Sequence, residues 1–438
     1  MLIDFKFGNY KSFLNEAHFS MKPAKRQTGI DYSIQNETIG KKQYKGLCSS
    51  VVYGPNASGK TNLIGAMETL RAIILRGNIA NADGISSPNI AAYSLEWIPN
   101  CFSENQSTIF EIKFTEGDFI FEYSFVANLG GFMDKESARK IEKEKLYINE
   151  KLVFDRGDDF TFNISSINME YSNSGSFDNI KTIIEIAKNG LNDQDLFLCN
   201  GFKTTFSKEL YSIIYNWFAN KFMVIYRSDS VQLMRRFADP KSNTIYIEKT
   251  ITDAAKMFGI TSNALGYQQQ SKEDDPVLLS VFSNEKPPVP AEYFESYGTI
   301  RFINEFPLVI RALLTGATLV MDEFDASIHP MALMNIINIF HNDEININHA
   351  QLIFNTHNPI FLDSTLFRRD EIKFVERDET TNNSVIYSLS DFKTANGVRK
   401  GEDYMNNYFI SRYGAIKDVD FSKIVKDIIN NAKVKKNG

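Results

Sequence analysis

At 438 residues, 43% of them hydrophobic and 23% charged, the chain has an ordinary globular composition and room for two or three domains. Its net charge of -6 excludes the overall basic field of a dedicated nucleic-acid coat, though not a local basic patch. Cys48, Cys101 and Cys199 are odd in number and far apart, which excludes metal-type spacing and fits a reducing compartment.

Met1 leads directly into Leu2-Ile3-Asp4-Phe5-Lys6-Phe7, whose alternation predicts a strand rather than a signal peptide. No run of about 18 uninterrupted apolar residues occurs, so no transmembrane helix, no membrane partner and a cytoplasmic location are expected. Asn9-Tyr10-Lys11-Ser12-Phe13 predicts a turn, and Ala17 to Met21 a second strand. The polar stretch 22–45 carries Lys22, Lys25, Arg26, Lys41, Lys42 and Lys45. It reads as a solvated loop or as a basic lip beside a ligand or nucleic acid. Ser49-Ser50-Val51-Val52-Tyr53 predicts a strand. Leu63, Ile64, Met67, Leu70, Ile73 and Ile74 recur with helical period and predict a helix to about Arg76.

Residues 92–165 read as β-rich, with strands at 110–114, 119–125 and 145–148. From about 178 the period becomes helical, and Phe206 to Phe222 reads as another helix. Residues 268–290, with Gln268-Gln269-Gln270 and Pro287-Pro288, read as a flexible linker. A helix over 298–314, a strand over 317–321, a helix over 332–340 and a strand over 351–355 complete the pass. No heptad is sustained and no internal repeat is seen.

Between the strand at 49–53 and its helix lies Gly54-Pro55-Asn56-Ala57-Ser58-Gly59-Lys60-Thr61-Asn62, whose first eight residues match the P-loop pattern G-x-x-x-x-G-K-[ST]. Two glycines let successive N–H groups face one centre, where a phosphate chain sits at a helix N-terminus. Lys60 then reaches the β- and γ-phosphates, and the Thr61 hydroxyl binds Mg²⁺. Thr318-Leu319-Val320-Met321 ends in Asp322-Glu323, the Walker B arrangement. Asp322 would hold Mg²⁺ at the carboxyl end of its strand, and Glu323 would orient or deprotonate the attacking water. His357 follows the strand at 351–355, where a histidine can donate to a γ-phosphate or simply cap the strand end. Glu295-Ser296-Tyr297-Gly298-Thr299 opens the helix before Asp322. It reads equally well as a phosphate-facing surface or an ordinary helix cap.

Taken in order, the P-loop, a long insert, Ser296-x-Gly298, the Asp322-Glu323 pair and His357 resemble the ATP-binding-cassette ATPases. The soluble branch with the SMC, RecF and OLD-type heads is the most similar. Asn9-Tyr10-Lys11-Ser12-Phe13 resembles that branch's N-F-[KR]-S-F element. Residues 322–330 resemble its Walker B and D-loop, with His329 where many cassettes have Asp. Arg369 to Glu376, Tyr387 to Phe392 and Arg412 to Ile416 resemble C-terminal segments of the RloA- or AbiL-like AAA-type ATPases of bacterial restriction and abortive-infection loci.

The resemblance implies an α/β P-loop NTPase fold, an ABC-type ATPase head with a β-rich lobe and a helical insertion. Residues 1–165 would hold the P-loop and β-lobe, 166–295 a mainly helical insertion and linker, and 296–438 the signature-like motif, Walker B and His switch. It implies ATP and Mg²⁺ as cofactors, with Glu323 and His357 catalytic and Lys11 counted with Gly54–Asn62 among the nucleotide contacts. Ser296 and Gly298 would contact ATP held by a second subunit, so a homodimer or higher oligomer is expected, although the motif reads Glu-Ser-Tyr-Gly where cassettes have Leu-Ser-Gly-Gly. No Q-loop is placed, Gln106 being the first glutamine downstream. The purposes implied are a defence ATPase controlling a separate effector such as a nuclease, a repair or recombination ATPase binding nucleic acid, or a non-catalytic ATP-dependent dimerisation switch. With only a short stretch after His357, no Toprim nuclease domain is expected there, and the pairs Glu376/Asp378 and Asp418/Asp420, on no clear buried strand, are not expected to hold a metal.

Overall fold

Strands far apart in sequence lie side by side in a computed structural model that describes residues 1–25, 27, 29–80, 99–103, 107–130, 139–157, 159–167, 169–172, 180–226, 245–246, 253–254, 256–257, 263–268, 277–282, 286–326, 328–392, 401–417 and 419–436. Arg26, Gln106, Ser327, Asp418, the linker residues 269–275 and the start of the β-rich stretch at 92–98 lie outside the described residues.

In chain order the first elements are β1 (Leu2–Gly8), β2 (Ala17–Ser20), β3 (Ile34–Ile39), β4 (Lys42–Leu47), β5 (Ser49–Tyr53) and α1 (Lys60–Arg76). Then come β6 (Thr108–Glu116), β7 (Phe119–Asn128), β8 (Lys140–Ile148), β9 (Lys151–Arg156), β10 (Thr161–Phe162), α2 (Ile180–Asn189) and α3 (Lys208–Asn216). The next group is β11 (Phe222–Ile225), β12 (Ile245–Tyr246), β13 (Asn263–Gln268), β14 (Val277–Phe282), β15 (Val289–Pro290) and α4 (Tyr297–Thr315). The chain closes with β16 (Thr318–Met321), α5 (Pro330–Phe340), β17 (Gln351–Asn355), β18 (Ile372–Arg377), β19 (Ser384–Ser388), α6 (Tyr404–Phe409) and α7 (Ser422–Lys436).

The central sheet has six strands in the order β11-β16-β17-β5-β18-β19. Its first five strands run parallel, and β19 turns back antiparallel on β18. β5, β11, β16 and β17 are buried throughout, which is why they read as continuous apolar runs. Their side chains still alternate between two cores. Val52, Val224, Val320, Ile353 and Val375 pack with α1 and with Phe5, Phe7 and Phe110. Val51, Met223, Leu319, Met321, Leu352, Phe354 and Phe374 pack with α4, α5 and α6. A second sheet, antiparallel and seven-stranded in the order β10-β9-β8-β7-β6-β1-β2, closes the α1 side.

Two expectations are corrected. Residues 22–45 are not simply a loop, because β3 and β4 pair as a hairpin within them. Their polar composition hid it, since β4 buries only Gly46 and Leu47. The second concerns residues 166–295, whose described part holds strands beside its helices. They include α2, α3 and π-type turns at Leu198–Phe206 and Trp217–Lys221, but also β11 at the edge of the central sheet. They hold a four-stranded sheet, β12-β13-β14-β15, which runs through the expected linker. Phe222-Met223-Val224-Ile225 is too short an apolar run for periodicity to separate strand from helix end.

One side chain ties the sheets together. The Gln351 carbonyl oxygen accepts from the Leu2 N–H at 2.6 Å and from the Thr318 hydroxyl at 2.9 Å. Its amide nitrogen donates to the carbonyls of Leu2 at 3.1 Å and Leu47 at 2.9 Å. Gln351→Leu keeps the volume and strands these buried groups, so it should cost about 2–4 kcal/mol in urea unfolding. A loss below about 0.5 kcal/mol would show that the two sheets do not depend on it.

Candidate functional site

The site lies where β5, β16 and β17 end. Their registers pair Met321 with Phe354 and Asn355 with Val52, so the residues that follow each strand emerge together. At the end of β5 the chain folds into the P-loop, and its glycines are required by close approach. A Cβ on Gly54 would meet the Val375 carbonyl oxygen at 2.2 Å. Gly59 has φ 113°, and a Cβ there would meet the hydroxyls of Ser12 and Ser384 at 2.7 Å each. Ala57 takes a left-handed conformation, φ 62°, at the exposed crest beside Asn56. The Ser384 hydroxyl donates to the Ser58 carbonyl at 2.6 Å, and Asn62 donates its side-chain amide to Ser12 at 2.8 Å.

Lys60 opens α1 and is buried. Its ammonium donates to the carbonyls of Gly54 at 2.7 Å and Pro55 at 3.0 Å. Burial lowers its pKa to about 8, against the pull of Asp322, Glu323 and Asp325. The Thr61 hydroxyl donates to the Asp322 carboxylate at 3.2 Å. Asn355 donates to the same carboxylate oxygen at 2.6 Å, and its own carbonyl oxygen accepts from the Glu323 N–H at 2.5 Å. Glu323 sits in a left-handed turn, φ 52°. The Arg301 guanidinium donates to the Glu323 carbonyl at 2.7 Å. Thr356 donates to Asp325 at 2.6 Å, while burial raises the Asp325 pKa. His357 follows at the exposed rim. Its pKa is lowered by desolvation and then by Lys60, with Glu323 and Asp325 opposing.

The structure therefore brings Gly54–Asn62, Asp322, Glu323 and His357 to one edge. Lys11, in the turn that reaches Gly59 through Ser12, directs its ammonium to the Tyr226 hydroxyl at 3.0 Å, beside the Tyr10 ring. Ser296 caps α4, accepting from the Thr299 N–H at 3.2 Å, and Gly298 lies in that helix's first turn at the surface. The carboxylate pairs fare differently. Asp378 accepts from the main chain of Thr380 and Thr381, Asp420 from Ser422, and Glu376 from the Tyr387 hydroxyl. Asn355 and Arg301 were not anticipated. Asn355 could have been noticed as the polar end of an apolar strand just before Thr356-His357; nothing local marks Arg301.

The donor set fits a magnesium–nucleotide pair. Mg²⁺ takes hard oxygens and needs few from the protein beside phosphate and water. Thr61 and Asp322 supply such a pair, and among the described residues no cluster of three or more acidic, histidine or cysteine side chains offers an alternative metal site. The Ser58 hydroxyl, buried in the loop, has no hydrogen-bond partner among the described residues. No described helix is long and apolar enough to cross a membrane.

Fold and site together define an α/β P-loop NTPase. Residues 49–363 match the family described as "AAA domain, putative AbiEii toxin, Type IV TA system", and the chain belongs to that family. No curated protein matches it. Similar solved structures include the SMC head domain from Thermotoga maritima, 12% identical over 88% of this chain and 98% of that one, TM-score 0.35. Another is the Smc head domain with an extended coiled coil, bound to the C-terminal domain of ScpA, derived from Pyrococcus furiosus. It is 13% identical over 88% of this chain and 96% of that one, TM-score 0.38.

Asn355→Ala removes a side chain that touches both Asp322 and the Glu323 main chain. ATP turnover should fall roughly tenfold or more, since misplacing catalytic groups is costly, while nucleotide still binds the P-loop. Turnover at the unsubstituted rate would show that Asn355 does not order the pair.

Proposed function

We propose that the chain hydrolyses ATP to ADP and phosphate with Mg²⁺, at a site completed by a second copy, and that this cycle controls a separate effector in bacterial anti-phage defence. The observation that carries the chemistry is the contact of Thr61 with Asp322 at the end of β16, with Glu323 next in sequence. The P-loop N–H groups and Lys60 bind the phosphates, and Thr61 and Asp322 would hold Mg²⁺. The ion, when bound, supplies charge neutralisation at the phosphate oxygens. Glu323 takes the proton from a water whose oxygen attacks the γ-phosphorus as the bond to ADP breaks. Asn355 and Arg301 hold the two peptide groups flanking that carboxylate. His357, its pKa lowered, stays neutral near pH 7 and offers one ring N–H to phosphate.

Two observations support the wider reading. Tyr293, Phe294 and Tyr297 surround Ser296 with 73%, 63% and 70% exposure, and aromatic side chains on a protein surface are what interfaces cover. The family's description, whose words "putative AbiEii toxin, Type IV TA system" name a toxin–antitoxin system, supports a defence setting.

Glu323→Gln should keep ATP binding and lose roughly 10²–10⁴-fold in turnover, as removal of a positioned base does. Lys60→Ala should lose affinity instead. A Glu323→Gln protein at the unsubstituted rate would remove the base, and negligible turnover by the unsubstituted protein would favour a binding switch.

Sharing of the site is tested separately. Ser296→Arg and Lys60→Ala should each be inactive alone. Mixed, about half the dimers hold one intact composite site, so activity should return to roughly a quarter. Full activity of Ser296→Arg alone would refute a shared site.

A further inference from the structure

Arg301 lies one turn into α4, beyond the exposed Ser296 and the half-buried Gly298, yet its side chain turns inward. The guanidinium makes two contacts with different ends of the site. Nη2 donates to the Glu323 main-chain carbonyl at 2.7 Å, and Nε donates to the Glu305 carboxylate at 2.8 Å, one turn further along the same helix. The Arg301 side chain is 18% exposed and that of Glu305 5%. The second Glu305 oxygen has no partner among the described residues, so Arg301 is its anchor. Burial raises the Glu305 pKa to about 7 against the pull of Arg301.

The receiving end is unusual. Glu323 holds φ 52°, a conformation that a non-glycine residue adopts when its surroundings enforce it. Two side chains do so here. Asn355 takes the N–H of the turn, and Arg301 takes its carbonyl. Arg301 therefore touches the peptide that aims the carboxylate rather than the carboxylate itself.

We propose that Arg301 is a positioning residue that acts within its own chain, fixing the Glu323 turn from the first turns of α4 while Glu305 holds the guanidinium in place. The helix that presents Ser296 to a partner's nucleotide thereby also sets the geometry of hydrolysis at its own P-loop. This second statement rests on the shared-site reading. The competing assignment is that Arg301, being near the exposed end of α4, acts on the partner's nucleotide.

Uniform variants come first. Arg301→Ala should lower kcat roughly 10- to 100-fold, with ATP affinity and KM within about twofold, because geometry and not binding is lost. Arg301→Lys should recover part of kcat, since an ammonium can reach one of the two acceptors but lacks the fork that spans both. Arg301→Ala/Glu305→Gln removes the stranded carboxylate and keeps the comparison open if the single variant unfolds. Unchanged kcat in the double variant, or a rise in KM without loss of kcat, would overturn the proposal.

Mixed dimers then decide the chain through which Arg301 acts. In the Ser296→Arg plus Lys60→Ala pair, the working site uses the P-loop and Glu323 of the first chain and the Ser296 of the second. Arg301→Ala added to the first chain should lower the recovered activity 10- to 100-fold, and added to the second should leave it within about twofold. The reverse pattern would overturn action through Glu323 of the same chain. If the reference pair recovers nothing, the shared-site reading is what has failed. The uniform variants still decide whether Arg301 positions Glu323.

Discussion

The P-loop of this protein is closed from outside by chain that comes from both ends of the sequence. Its two glycines are packed so tightly that a single carbon on Gly54 would strike the Val375 carbonyl, and one on Gly59 would strike Ser12 and Ser384. The loop's curvature is therefore not a property of its own eight residues. It needs β18 and β19, more than 300 residues downstream, and the turn after β1. The Ser384 N–H donates to the Ser12 carbonyl at 2.8 Å and ties those two supports to each other. A phosphate cradle built this way leans on the completed central sheet for its shape.

That dependence explains the rest of the architecture. The central strands present alternate side chains to two cores, and each core comes from a different part of the chain. The α1 side is filled by the early antiparallel sheet, and the opposite side by α4, α5 and α6. Gln351 joins β1, β4 and β16 across this divide at the start of β17. At the other end of β17, Asn355 joins Asp322 and Glu323, which follow β16. One strand of five residues is thus polar at both ends for different reasons, one structural and one chemical.

The parts legible in the sequence were those whose cause is local. The P-loop, α1, β16, β17 and the strands β1, β2, β6, β7 and β8 of the antiparallel sheet follow from spacing and period alone. The parts that were not legible depend on tertiary contact. β11 is four apolar residues after a helix and becomes a strand because β16 offers an unpaired edge. β3 and β4 are polar because the hairpin buries little. Asn355 and Arg301 contact main-chain groups of a turn, and such contacts leave no pattern in either partner's neighbourhood.

The electrostatics of the site carry one more argument about its chemistry. Asp322, Glu323 and Asp325 surround the buried cation Lys60, and their fields hold its pKa up against burial. Thr61 and Asn355 stabilise Asp322 with neutral donors, and Thr356 does so for Asp325. His357 adds no charge near neutrality, because desolvation and Lys60 depress its pKa. An edge with more carboxylates than cations repels a polyphosphate. The P-loop N–H dipoles offset that in part, as a helix N-terminus carries about half a positive charge. The remaining imbalance is what a divalent cation arriving with the nucleotide would cancel, and it would do so between Asp322 and the phosphates. On this reading the neutral donors around Asp322 have a second use. They keep the carboxylate oriented without neutralising it, so that its charge remains for the metal.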